Sequence, residues 1–357
     1  MIPAADSSAT NQSAMKSILA LSALLLATLS AAPTAGRHYD LTARASVIDK
    51  NAKPHPEIGF VFEKSGKPQD IEHASVDTRV PSQGKLVIWL MAYNKDLFNH
   101  LDSYGMNSIQ VHYAREWFDK LYSGKPPADD LFLSNIRLEA ATGNDCSKVV
   151  DIPKPDSIME RSYQFVKWLA RENPEGNWKQ FLTRDGKDLQ WDKVILSGAS
   201  HGSTTAARMA KQIRVDRVVM FSGPRDNYEV WQKLPSATPG NRFFGFSNIL
   251  DDGWINDHYP RSWQLMGLQE YGPIVNVDKT PSPYGNTRRL ISDADVKGDH
   301  NRAHSSSVPG GAAVKDAAGK YIHEEVWRYL FLHPVEQVGK PVPPDGNLWL
   351  DQRKKRP

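Results

Sequence analysis

The segment WDKVILSGASHGSTTAARMA, residues 191–210, places Ser200 in a Gly-Ala-Ser-His-Gly corner between an apolar run and a run of small residues. A serine held in a tight strand-to-helix turn is forced toward strained backbone angles, and its neighbours must be small. Gly198 and Gly202 meet that demand. A hydroxyl presented in this way is a candidate nucleophile. The backbone N–H of His201, at the start of the helix that follows, is placed to stabilise an oxyanion. Gly-x-Ser-x-Gly also arises by chance, and two glycines can serve packing alone. Context sharpens the pattern here: KVILSG reads as a strand before the corner, STTAARMAKQI as a helix after it, and RVVMFSG as the next strand.

The stretch ILSGASHGSTTAARMA followed by VDRVVMFSGPRD resembles the α/β-hydrolase superfamily, and more narrowly a group of secreted, largely uncharacterised bacterial serine hydrolases of that fold. The likeness runs from about Lys85 to His333 and takes in DSIMERSYQFVKWLARENPEGNWKQFL, PYGNTRRLIS and VWRYLFLHP. It implies a Ser-His-acid hydrolase with no cofactor, and it fixes no substrate. In such chains the triad follows the order serine, acid, histidine. On that order the acid is Asp251, just after the run FFGFSNI, with Asp252 beside it and Asp226, after RVVMFSGPR, as alternatives. Each of the three could equally be a solvated loop carboxylate or a helix cap. The base is His304, in the AHSSS loop before the closing helix, with His300 as the alternative in a more charged surface context. His258, His323 and His333 read as loop or helix-surface residues. The resemblance also implies a second oxyanion donor in the loop after KLVIWLM. Met91, Ala92, Tyr93 and Asn94 stand there, where related chains carry Pro-Gly-Thr or His-Gly. An N–H of Ala92 or Tyr93 can do the work, with the Tyr93 hydroxyl or the Asn94 amide as added donors.

These residues need elements to hold them. KLVIWLM (85–91), SIQVHY (108–113), KVILSG (193–198), RVVMFSG (217–223), FFGFSNI (243–249), IVNV (274–277) and RRLISDA (288–294) are short apolar or alternating runs bounded by turn residues, and they read as strands. DSIMERSYQFVKWLARENP reads as a helix capped by Asp156 and closed by Pro174, and YIHEEVWRYLFLHP as another. Residues 36–84 hold charge, proline and glycine, with GFVFE the one strand-like run, and read as a lead-in or edge strands. Strands alternating with helices predict an α/β fold with a mostly parallel central sheet flanked by helices, the α/β-hydrolase fold.

The 357 residues, 40% hydrophobic, suffice for one large core, here assigned to a single domain over 36–334 with a Pro-rich tail over 335–357. A net charge of +3, from 44 basic and 41 acidic side chains, provides no field to draw nucleic acid; the basic RKKRP terminus reads as a solvated tail. MKSILALSALLLATLSAAPTAG, from Met15, has the three-part pattern of an export signal and gives residues 1–35 that role, so the expected location is secreted or periplasmic. No stretch reaches the ~20 apolar residues that a membrane span needs. The single cysteine, Cys146, excludes an intramolecular disulfide and a cysteine zinc site, and no motif supports it as a nucleophile. The stretches DDG and DHYPRSW match no calcium-loop spacing, so no metal is expected. Trp89, Tyr93, Trp254, Tyr259 and Trp263 recur near strand ends and read mostly as packing, with a minority at a mouth suited to an apolar, aromatic or sugar-containing ester. The sequence thus predicts a carboxylic ester hydrolase acting on a lipid, polyester or carbohydrate ester. A triad peptidase, an acyltransferase and a non-catalytic binding protein on the same scaffold are the alternatives.

Overall fold

Strands buried on both faces must be apolar at every position, and successive side chains then feed two different cores. A computed structural model describes residues 36–117, 128–226 and 228–346, the side chains at 255 and 256 excepted. The segment read as an export signal and the RKKRP terminus lie outside the described residues. A nine-stranded sheet is built from β1 (His38–Arg44), β2 (Ile71–Asp77), β3 (Leu86–Trp89), β4 (Asn107–Gln110), β5 (Val194–Ala199), β6 (Arg217–Phe221), β7 (Phe243–Asn248), β8 (Ile274–Asn276) and β9 (Arg289–Ser292). Their order is β1-β2-β4-β3-β5-β6-β7-β9-β8. The β1–β2 and β2–β4 pairs are antiparallel, and every pair from β4 through to β8 is parallel.

Among the described residues seven longer helices cover the sheet: α1 (Lys95–Ser103), α2 (Phe132–Thr142), α3 (Ile158–Glu172), α4 (His201–Gln212), α5 (His258–Leu265), α6 (His300–Ser306) and α7 (Glu324–Leu332). Alternation along the strands sorts them. Leu86, Ile88, Leu196, Val218 and Met220 pack with Phe165 and Leu169 of α3 and Ala206 and Met209 of α4. Val87, Trp89, Ile195, Val219 and Phe221 point the other way, onto Leu97 and Phe98 of α1 and Trp327 and Leu330 of α7. Each large apolar side chain buried in this way stabilises the fold by about 1.5–3 kcal/mol. Helices on both faces of a mostly parallel sheet, an antiparallel second strand and the β4-β3-β5 crossover make this the α/β-hydrolase fold.

All seven predicted strands form. GFVFE gives only the two-residue strand Glu63–Lys64, paired in a small hairpin with Lys67–Pro68. The α3 cap is Ser157 rather than Asp156: the Ser157 side chain accepts from the Glu160 N–H at 3.2 Å. Asp156 is fully buried, and its carboxylate is taken up by Arg161 Nη2 at 2.6 Å and His55 Nε2 at 2.8 Å. His258, His323 and His333 are not surface residues, since all three are buried. Each ring has a polar partner that makes burial tolerable: the Asp226 carbonyl, the Asp278 carboxylate and the Gln337 carbonyl respectively. Among the described residues no helix is long and apolar enough to cross a membrane.

Candidate active site

Parallel sheets collect their binding sites where strands end and helices begin, and β5 delivers Ser200 to that edge. Ser200 is the N-cap of α4 with φ 52° and ψ −119°, a backbone region that L-residues avoid at a cost of about 1–3 kcal/mol. The surroundings impose it. The Ser200 N–H donates to the Phe221 carbonyl at 3.0 Å, extending the sheet pairing by one residue, while Thr204 N–H closes the first helical turn onto the Ser200 carbonyl at 3.2 Å. The two glycines are sterically required. A Cβ on Gly198 would lie 2.4 Å from the Gly202 carbonyl carbon, and one on Gly202 would lie 1.7 Å from the Leu90 carbonyl oxygen.

Ser200 and His304 line one cavity of about 470 Å³, together with Ala92 and Tyr93. His304 lies on α6, not in a loop as the sequence suggested; Asp299 caps that short helix by accepting from the Arg302 N–H at 3.0 Å. Just past β6, Ser222 donates its hydroxyl to the His304 carbonyl at 2.7 Å, which ties the histidine's backbone to the end of that strand. His304 Nδ1 is 2.8 Å from Asp251 Oδ2. Asp251 caps the turn after β7, accepting the Gly253 N–H at 2.9 Å, and the Tyr259 hydroxyl lies 2.8 Å from Asp251 Oδ2 and 2.9 Å from the Ser222 carbonyl. Burial pushes the Asp251 carboxyl up, but the hydrogen bond and charge of His304, with the bonds from Gly253 and Tyr259, outweigh it and hold the group below the usual carboxylate range. An ionised Asp251 fixes His304 as the Nδ1–H tautomer, leaving Nε2 as the basic nitrogen. Burial first, then the neighbouring Asp251 charge, drives the Tyr259 phenol well above its ordinary value, so it stays a donor.

The alternatives fall elsewhere. Asp252 pairs with His300 Nδ1 at 3.1 Å on the surface, and neither residue lines the cavity. Asp226 is fully buried, and its carboxylate accepts from Arg137 Nε at 3.2 Å and Trp231 Nε1 at 3.3 Å. Burial raises the Asp226 carboxyl against the attraction of Arg137. Arg137 also donates to His201 Nδ1, the His201 carbonyl and Thr205 Oγ1, so Asp226 acts through Arg137 to brace the first turn of α4. Burial, followed by the charges of Arg137 and Arg115, holds the His201 imidazole well below its ordinary value and therefore neutral.

The backbone N–H of His201 belongs to the first turn of α4, whose N–H groups face out from the positive end of the helix. The segment after β3 is held by several contacts. Leu90 N–H donates to Ser197 O at 2.8 Å, Trp89 Nε1 to Ala92 O at 2.8 Å, and the Tyr93 ring stacks on His73 with centroids 4.0 Å apart. The Asn94 side chain is partly committed: its oxygen caps α1 at Leu97 N–H (3.0 Å) and one hydrogen of its amide goes to Pro309 O (2.8 Å). Among the described residues no three His, Cys, Asp or Glu side chains converge to hold a metal ion. Cys146 is half-buried, and burial pushes its thiol up, away from the reactive thiolate.

Sequence reasoning missed Tyr259, Ser222 and Arg137. Tyr259 was visible only as one aromatic in a rich segment; its role depends on the turn that brings it back onto Asp251 eight residues earlier.

No family model and no curated protein matches the chain. Similar solved structures include an α/β serine hydrolase without a lid from Xanthomonas campestris, with 9% identity over 72% of this chain and 84% of that one and a TM-score of 0.30. Esterase B from Lactobacillus rhamnosis, with a tributyrin phosphonate, shares 13% identity over 71% of this chain and 74% of that one, with a TM-score of 0.31. An isopeptidase shares 13% identity over 54% of this chain but only 24% of its own, with a TM-score of 0.26. The fold assignment rests on the strand order and the turn geometry at Ser200, not on these superpositions.

Proposed function

We propose that the protein is a serine hydrolase of carboxylic esters, with Ser200 as nucleophile, His304 as general base and acid, and Asp251 as the orienting carboxylate. One observation carries the reading: a strained Ser200 opens onto the same cavity as His304, whose Nδ1 is hydrogen-bonded to a buried Asp251 at 2.8 Å. In this mechanism His304 Nε2 takes the Ser200 proton as Oγ attacks the ester carbonyl. The N–H of His201 and an N–H of Ala92 or Tyr93 receive the oxyanion. Collapse of the tetrahedral intermediate breaks the carbon–oxygen bond of the leaving alcohol, which takes the proton from His304. Water, deprotonated by the same nitrogen, then attacks the acyl-Ser200 ester and releases the acid. Asp251 stays ionised throughout and stabilises the imidazolium.

The export pattern from Met15 supports a substrate met outside the cytoplasm, a lipid, polyester or carbohydrate ester. Release of acid from p-nitrophenyl esters tests the reaction, set against cleavage of peptide amides and acyl transfer to added alcohols. Ester hydrolysis that Ser200→Ala abolishes supports the proposal. Dominant peptide cleavage or acyl transfer would replace it, and an unreactive wild-type protein would leave a binding scaffold.

A further inference from the structure

We infer that the segment Gly310–Ala312 sets the size of the leaving alcohol, and that the substrate is an ester of an uncharged, apolar alcohol of hexyl to benzyl size, with Gly311 as the specificity-determining position. The inference rests on the serine-hydrolase reading of Ser200 and His304. In that chemistry the leaving oxygen must sit beside the histidine that protonates it, so the alcohol occupies the histidine's side of the cavity. That side is walled by the chain running on from His304: Ser305, Val308, Pro309, Gly310, Gly311 and Ala312. A volume of about 470 Å³ lies within the range that holds small organic ligands, and it leaves room beyond an acyl group and a methyl ester.

The wall is firm and thin. Asn94 donates to Pro309 O at 2.8 Å, Trp327 Nε1 to Ser307 O at 2.8 Å, and Ala313 N–H closes a turn onto Gly310 O at 3.1 Å. Gly310 has φ 137°, which reserves the position for glycine, so the turn cannot carry a side chain there. At Gly311 the backbone is ordinary and a Cβ would meet no atom within 4 Å, so the fold accepts a side chain that nature has left out. The rest of the lining brings Trp89, Met91 and Tyr93, and its two charged side chains, Lys95 and Asp96, are exposed and of opposite sign. Such a lining favours an apolar group and supplies no net charge to hold an ionic one.

Two ester series give the test: butanoates of methanol, hexanol and benzyl alcohol, and methyl esters of acetic, butanoic and hexanoic acid, hydrolysed by wild type, Gly311→Phe and Ala312→Leu. The wild type is expected to favour the hexyl and benzyl butanoates over the methyl ester by about 10-fold or more in kcat/KM, as a few buried methylenes allow. Gly311→Phe should erase that preference by lowering kcat/KM for the hexyl and benzyl butanoates about 10-fold or more, and Ala312→Leu should reduce it. Complete fluorophosphonate labelling confined to Ser200 in both variants, with melting temperatures near that of the wild type, would show the fold and the nucleophile intact. With labelling intact, an unchanged alcohol preference in both variants overturns the inference, as does a change confined to the acid series, which would put the acyl group on this wall. Loss of reactivity toward fluorophosphonate in the wild type would instead overturn the hydrolase reading itself.

Discussion

A carboxylate works as a triad acid only if its charge survives burial, and Asp251 keeps it through three donors: His304, the Gly253 N–H and Tyr259. Asp251→Asn keeps the shape but removes the charge and the tautomer preference, and kcat is expected to fall by roughly 10³–10⁴-fold with KM little changed. Steady-state kinetics on p-nitrophenyl butyrate read this directly. Tyr259→Phe removes one charge-assisted bond worth about 1.5–3 kcal/mol, so kcat should drop by about 10-fold or more. With one donor gone, the Asp251 carboxyl rises toward its ordinary range. Ser200, Asp251 and His304 could be proposed from chain order and type because a triad tolerates few substitutes. Tyr259, Ser222 and Arg137 could not, since their roles exist only through contacts made between distant segments.

The turn between β5 and α4 shows strain and function drawn from the same backbone. Ser200 occupies positive φ, and Gly198 and Gly202 on either side pack too closely against each other and Leu90 to carry a Cβ. Ser200→Gly and Ser200→Ala should both be inactive, yet the glycine variant should unfold at a higher temperature than the alanine variant, by about 1 kcal/mol of stability. Equal melting temperatures by circular dichroism would mean that the backbone at residue 200 is relaxed. Elements of this kind were legible to different degrees. The parallel strands β3, β5, β6 and β7 announced themselves as near-continuous apolar runs because both of their faces are covered. By contrast, β1 and β2, at the antiparallel edge, carry His, Asp, Thr, Glu and Arg among their residues. Their polar character left them in a segment that read only as a lead-in or edge strands. The helix α6 escaped notice because seven residues, two of them histidines, carry no apolar stripe.

Across the whole molecule, buried titratable groups away from the cavity shape stability. Glu72 on β2 is 1% exposed, and burial, countered in part by Arg161, raises its carboxyl from 4.5 to about 8. Between those values the folded chain keeps a proton that the unfolded chain has released, so this contribution to stability is complete below about pH 4.5 and is lost as pH rises toward about 8. His112, pushed down from 6.5 to about 3 mainly by burial, works in the opposite sense: its contribution grows from about pH 3 to 6.5. Glu72 therefore stands clear of His112 between about pH 6.5 and 8, where wild-type melting temperatures should fall and those of Glu72→Gln should fall less. Parallel declines in the two proteins would mean that Glu72 is ionised in the folded chain.

Everything functional depends on whether the Ser200 hydroxyl is activated by His304 and Asp251. The rate of modification by a fluorophosphonate, with the adduct located by peptide mass spectrometry, measures that activation without any assumption about substrate. The expected result is a single adduct on Ser200, formed rapidly in the wild type and at least about 10³-fold more slowly in His304→Ala and Asp251→Asn. An adduct on another residue, or modification of Ser200 at an undiminished rate in folded His304→Ala, would contradict the assignment.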